Sequence, residues 1–221
     1  MNIKNNYNFF LKNGYAVIDL LSKNDLSVIT QAICKKFNYM ISNKKNLFNI
    51  SNIKNYHNFS FAKRNHEELI NSSRRYISLD KKVLNKVKKN KDILNIMQNY
   101  WGHNKFTPKW VGSIKQIKDN AAGFRIARPS KLKIQDAAGS HSDIQFYKNL
   151  GGKIANDHKI MITAWVPLVG FNKKYTLRFA PTTHLVDHPY KAITKQKKHT
   201  SSVLSKDYLK KFKFKRLNLK K

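Results

Sequence analysis

His141 and Asp143, in the run Gly139-Ser140-His141-Ser142-Asp143, have the residue types and the spacing to bind a metal ion. On extended backbone, side chains alternate with period two, so an imidazole and a carboxylate at i and i+2 point to the same side. The two groups make two corners of a two-His-one-carboxylate facial triad, which leaves positions on Fe(II) open for a cosubstrate and oxygen. An isolated His-x-Asp is also common in exposed polar loops, so the rest of the chain has to discriminate. Arg125 and Arg128 lie shortly upstream. They are placed to meet an anionic cosubstrate or a phosphorylated sugar, and equally to lie on a solvated strand face. Gln145 and Trp165 are candidates to line a pocket, although Trp165 suits a core position better.

The elements that must position these residues fall into two textures. The first half reads as helical. A short strand is expected over 14–20, opened by Gly14, and Ser22 with Asp25 resembles a capping pair. Leu26, Ile29, Ile33, Phe37 and Met40 then recur every three or four residues, which predicts a helix over 24–41. Residues 42–78 are polar and read as loops with one short helix near Glu67–Ile70. A second helical region runs from Asp80 to Tyr100, with Val83, Leu84 and Val87 in one apolar group and Ile93, Leu94 and Met97 in another. Asp92 is the residue expected to restart the helix after the lysine run. From Trp110 the chain turns β-rich, with strands expected over 109–117, 123–128, 159–168 and 175–180. The segment 159–168, β-branched and stopped by Pro167, is the clearest of them. After Pro181 the chain is polar and basic, with a weak helix at 203–212. Helices followed by antiparallel strands indicate an α+β fold, with helices packed on a sheet sandwich. The length, 221 residues, suits one domain.

Charge sets a second constraint. Lys+Arg number 44 against 12 Asp+Glu, a net charge of +32. Such a field attracts nucleic acid, anionic membrane or phosphorylated ligands. Only seven of the 44 are Arg, however, and Arg is the residue suited to bidentate phosphate and base recognition. The lysines are scattered along the chain, densest from Lys206 to Lys221, and Asn, Ile, Phe and Tyr are abundant with them. These residues share A/T-rich codons, so base composition explains most of the charge. Any nucleic-acid binding is expected to be nonspecific, since no helix-turn-helix, zinc-finger or RNP pattern is present. The single cysteine, Cys34, rules out an intrachain disulfide and reads as a small buried hydrophobe. No apolar run is long enough to span a membrane and no signal peptide is evident, so a cytoplasmic protein is expected.

The order of the motifs carries more than any one of them. A Gly14-Tyr15-x-Val17-Ile18 strand, a helix, His141-x-Asp143, Trp165-x-Pro167-Leu168 and Leu177-Arg178-x-x-Pro181-x-Thr183-His184 follow one another. This set resembles the phytanoyl-CoA dioxygenase family of Fe(II)- and 2-oxoglutarate-dependent oxygenases, over roughly residues 9–205. The segment Arg125-Ile126-x-Arg128-Pro129 is similar to bacterial members found in carbohydrate-biosynthesis clusters. The resemblance implies a double-stranded β-helix (jelly-roll) core with N-terminal helices on one side. It implies Fe(II) as cofactor, 2-oxoglutarate as cosubstrate, and hydroxylation of a small metabolite or sugar intermediate. His141 and Asp143 match the first two iron ligands. His184 matches the His of the family's Pro-Gly-[Ser/Thr]-His turn, which is not usually a ligand. The family's distal His, in a His-Gly-x-x-x-Asn segment, and its 2-oxoglutarate-binding Arg have no counterpart after His184. The expectation is therefore a C-terminally incomplete domain lacking its last core strands. His184 or His188 is the fallback third ligand, with Lys191 or Lys195 in place of the Arg. A basic nucleic-acid-binding protein and a non-catalytic jelly-roll relic are the alternatives.

Overall fold

Residues 3–41, 47–60, 75–113, 116–126, 162–170, 176–186, 188–189, 191–195 and 199–216 are described by the computed structural model of the chain. Helices α1 (Ile3–Asn13), α2 (Lys23–Ile41), α3 (Lys81–Lys88) and α4 (Lys91–Trp101) make up most of the first half.

Helix α2 forms where the three-to-four spacing places it. Its N-terminus is a reciprocal capping box: the Ser22 amide donates to Asp25 Oδ2 at 2.8 Å, and the Asp25 amide donates to Ser22 Oγ at 3.3 Å. Ile33, Cys34 and Phe37 on its inner face are buried. They enter a core with Phe48, Ile53, Tyr56, Ile77 and Phe124, against which Ile29, Met40 and Leu168 pack. Phe37 is the hub, 1% exposed, with its ring 5.1 Å from Phe124, 5.7 Å from Tyr56 and 6.0 Å from Phe48. Tyr56 belongs to a 3₁₀ turn over Ile53–Asn58. Cys34 behaves as the expected buried hydrophobe, and burial pushes its thiol pKa up, away from a reactive thiolate.

The second helical region is two helices. The Asp80 carboxylate accepts from the Lys82 and Val83 amides to start α3, and the Asn90 side chain accepts from the Ile93 amide at 3.0 Å to start α4. The restart thus belongs to Asn90, with Asp92 in the first turn. Gly102, at φ +73°, ends α4 in the left-handed conformation. Helix α3 is tied to the start of α2 by Lys86, whose ammonium donates to Asp25 Oδ2 at 2.6 Å.

Helix α1 was not foreseen, because Asn at 5, 6, 8 and 13 is a poor interior helix former. Packing on α4 overrides that preference. The Asn6 amide donates to Asp92 Oδ1 at 3.1 Å, the Tyr7 hydroxyl donates to the Asn99 carbonyl at 3.0 Å, and Phe10 meets Tyr100 edge-on at 5.9 Å.

The described strands form four two-stranded antiparallel ladders. Strand β1 (Tyr76–Ser78) pairs β4 (Ala121–Gly123), and β2 (Lys109–Ser113) pairs β3 (Gln116–Asp119). Strand β5 (Arg178–Phe179) pairs β8 (Lys215–Arg216), and β6 (Lys191–Lys195) pairs β7 (His199–Val203). One helical turn, α5 (Lys206–Leu209), stands where the weak helix was expected. The fold is α+β, built of helices and small antiparallel sheets.

Several strand expectations are corrected. Residues 15–20 form no ladder and run irregularly from α1 into α2. Residues 162–168 form none either, and Ile162, Trp165 and Val166 are exposed. A β-rich run becomes a strand only where a partner edge meets it, and none does so among the described residues. Of the expected strand 123–128, the described part joins a strand only at Gly123, the end of β4, and of 175–180 the described part forms a strand only at Arg178–Phe179; residues 127–128 and 175 lie outside the described residues. The β6–β7 hairpin forms in sequence that showed no strand pattern. Residues 159–161 and the short helix expected at 67–70 lie outside the described residues.

Candidate functional site

The Pro181–His184 turn folds against the C-terminal end of α1. Helix ends leave carbonyls without intrahelical partners, and three donors from two chain segments satisfy them here. The Gly14 amide donates to the Phe10 carbonyl at 2.7 Å, with Gly14 at φ +76°. The Thr182 amide donates to the Asn13 carbonyl at 3.1 Å. His184 Nε2 bonds the Leu11 carbonyl at 2.9 Å. A carbonyl only accepts, so Nε2 is the donor, and Nδ1 is the ring's second nitrogen. That second nitrogen lies against Gly14: a Cβ built there would stand 2.5 Å from His184 Cγ and closer still to Nδ1. Phe179 adds an aromatic contact to Tyr15 at 4.2 Å. Thr182 holds φ +70°, the left-handed region that glycine favours and a β-branched residue rarely enters.

His188 is engaged in a similar way. Its Nε2 donates to the Thr183 carbonyl at 2.8 Å, and Nδ1 shares a hydrogen bond with the Tyr208 hydroxyl at 3.0 Å. Tyr208 and Phe212 pack edge-on against the imidazole, at 5.8 and 5.7 Å. The structure thus gives both fallback histidines protein partners of their own. Among the described residues no group of three His, Cys, Asp or Glu side chains is arranged to hold a metal.

Arg125 has a neighbour that the sequence did not announce. The Phe124 amide donates to the Arg75 carbonyl at 3.2 Å, just beyond the β1–β4 ladder, which brings Arg75 near Arg125. Arg75 is half-buried, and its Nε has no hydrogen-bond partner. Burial lowers the Arg75 pKa, and the positive charge of Arg125 lowers it further. Two like charges side by side, one of them desolvated, form an anion-attracting feature. Beside them Tyr76 stacks on Trp110 at 4.7 Å, with the Lys36 ammonium 5.0 Å from the Tyr76 ring centre. Arg75 escaped notice in the sequence because only the β1–β4 pairing brings it to Arg125.

Trp165 is 41% exposed, so it is not part of the buried core. Lys191 and Lys195 open and close β6. His141, Asp143, Gln145 and Arg128 lie outside the described residues. No helix among the described residues is long and apolar enough to cross a membrane. Comparison with family models, with curated proteins and with solved structures returns no match.

Proposed function

We propose that the chain is an Fe(II)- and 2-oxoglutarate-dependent oxygenase domain of the phytanoyl-CoA dioxygenase type. It has a jelly-roll core, resides in the cytoplasm and acts on a small metabolite or sugar intermediate. The ordered motifs His141-x-Asp143, Trp165-x-Pro167-Leu168 and Leu177–His184 support this reading. The observation that carries it is the φ of +70° at Thr182. That residue occupies the glycine position of the family's Pro-Gly-[Ser/Thr]-His turn. An unrelated Pro-Thr-Thr-His would have no reason to hold a β-branched residue in a conformation that costs L-amino acids about 1–2 kcal/mol.

In this reading His141 and Asp143 would hold Fe(II), with His184 or His188 as the fallback third ligand. Bound iron would supply the oxidative decarboxylation of 2-oxoglutarate and the coupled hydroxylation of a C–H bond. Arg125, paired with Arg75, would offer guanidinium donors to the cosubstrate's carboxylates, with Arg128 and Lys195 as further cations. A second reading, a non-catalytic domain of the same fold, draws on the engagement of both His184 and His188.

One titration separates the two. Anaerobic addition of Fe(II) and 2-oxoglutarate to the purified protein should produce the visible charge-transfer band of a bidentate chelate, and His141→Ala should abolish it. A band that survives His141→Ala would refute the ligand assignment. No band in a protein folded by circular dichroism would leave the non-catalytic reading.

A further inference from the structure

A cleft of about 340 Å³ opens beside the end of α1. Asn13 and Thr182 line one wall, and Lys211, Phe212, Lys213 and Lys215 line the other. Three of these residues are lysines, and none of the lining is acidic. The one carboxylate in 204–216, Asp207, is paired with Lys210 at 2.8 Å. Lys213 and Lys215 meet no carboxylate among the described residues. The β5–β8 ladder adds to the charge, because its register sets Arg178 opposite Arg216 and Phe179 opposite Lys215.

Base composition explains scattered lysines but not this placement. Lys211, Lys213 and Lys215 alternate with Phe212 and Phe214. Phe212 is held against Tyr208 at 5.1 Å and against His188, and Phe214 lies under the Arg178 guanidinium at 5.6 Å. The rings anchor the segment, and Lys211, Lys213 and Lys215 line the cleft, with the Lys211 ammonium also 5.5 Å from the Tyr208 ring centre. Cations crowded in a concavity repel one another and focus the field on an incoming anion. Ammonium groups are compact point charges suited to phosphate, whereas planar bidentate recognition belongs to Arg, which is absent from this lining. The volume lies at the small end of ordinary ligand sites.

We propose that this cleft is a binding site for the phosphoryl group of a small phosphorylated anion. The site uses no metal and neither His141 nor Asp143, although Pro181 and Thr182 of the oxygenase-like turn form part of its wall.

The test is isothermal titration of the full chain with inorganic pyrophosphate at about 0.15 M salt, where surface attraction beyond roughly 8 Å is screened. One saturable site is expected. The triple variant Lys211→Gln/Lys213→Gln/Lys215→Gln should weaken it by about tenfold or more. A control triple on exposed α3 and adjoining lysines, Lys81→Gln/Lys82→Gln/Lys89→Gln, removes the same charge and should leave affinity within about twofold. Equal weakening in both triples would reduce the effect to a diffuse field and overturn the site, as would the lack of saturable binding. A short oligothymidylate serves as the second probe. If it binds in the cleft and pyrophosphate does not, the proposed small ligand is overturned in favour of nucleic acid. If the triple alters the circular dichroism spectrum, the single Lys213→Glu carries the same comparison.

Discussion

Gly14→Ala should destabilise the fold through two separable effects. The first is backbone strain: Gly14 sits at φ +76°, where an L-residue pays about 1–2 kcal/mol. The second is steric. The new methyl would stand 2.5 Å from His184 Cγ, so the imidazole must move and release the Leu11 carbonyl. A net hydrogen bond of that kind contributes about 0.5–1.5 kcal/mol. The sum is about 1.5–3.5 kcal/mol, or a fall in melting temperature of about 3–14 °C for a chain of this size. Urea unfolding followed by circular dichroism, run as a double-mutant cycle with His184→Ala, separates the two effects. With His184 truncated to its Cβ, which lies 3.0 Å from the new methyl, Gly14→Ala should cost the backbone part and that smaller contact, leaving a coupling of about 0.5–1.5 kcal/mol. Full additivity would refute the contact. It would leave the Thr182 amide to Asn13 carbonyl bond as the tie between the turn and the end of α1.

Three further outcomes follow from the helices and the core. The Lys86 ammonium, with the Ser22 hydroxyl and amide, holds the Asp25 carboxyl at about 2 against an ordinary 3.8. The folded value is the lower one, so this contribution is present above about pH 4 and is lost as pH falls from about 4 to 2. Asp25→Asn should flatten the stability profile over that window in urea unfolding, and an unchanged slope would dismiss the pair. Asn90→Ala should cost about 1 kcal/mol as the lost cap of α4, measured by the same unfolding midpoints; a change within error would place the cap elsewhere. Phe37→Ala should cost about 3–5 kcal/mol, since its ring is 1% exposed between three others, and a loss below 1 kcal/mol would mean the site collapses freely.

What the sequence made legible was local. The capping box at Ser22 and Asp25 and the apolar face through Ile33 and Phe37 need nothing beyond their own helix to be recognised, and α2 forms there. The division between α3 and α4 was partly visible, but Asn90 and Asp92 are both competent caps, and only backbone geometry selects Asn90. Strands were harder to read. Residues 162–168 have the composition of a strand, while Lys191–Lys195 and His199–Val203, which do not, pair with each other. Strand formation depends on the partner edge more than on the run itself. The aromatic core was half hidden for the same reason: Phe48, Tyr56 and Phe124 come from segments without periodicity.

The reading of His184 shows how one missed element propagates. With 14–20 taken as a strand, Gly14 opened it, and the histidine of the later turn had no visible partner. Once α1 is present, Gly14 becomes its left-handed cap, the carbonyls of Phe10, Leu11 and Asn13 need donors, and the turn supplies two of them. An imidazole is a metal ligand, a proton carrier or a helix cap according to what lies about 3 Å from its two nitrogens. Sequence spacing shows the ring but not those neighbours. The same holds for the lysines at 211, 213 and 215: their alternation with Phe212 and Phe214 is written in the sequence, but the cleft they line exists only once α1 and the Pro181–Thr182 turn form its opposite wall. Gly14→Ala therefore reaches past the cap. If it loosens that wall, pyrophosphate affinity should fall along with stability, although Gly14 itself does not line the cleft.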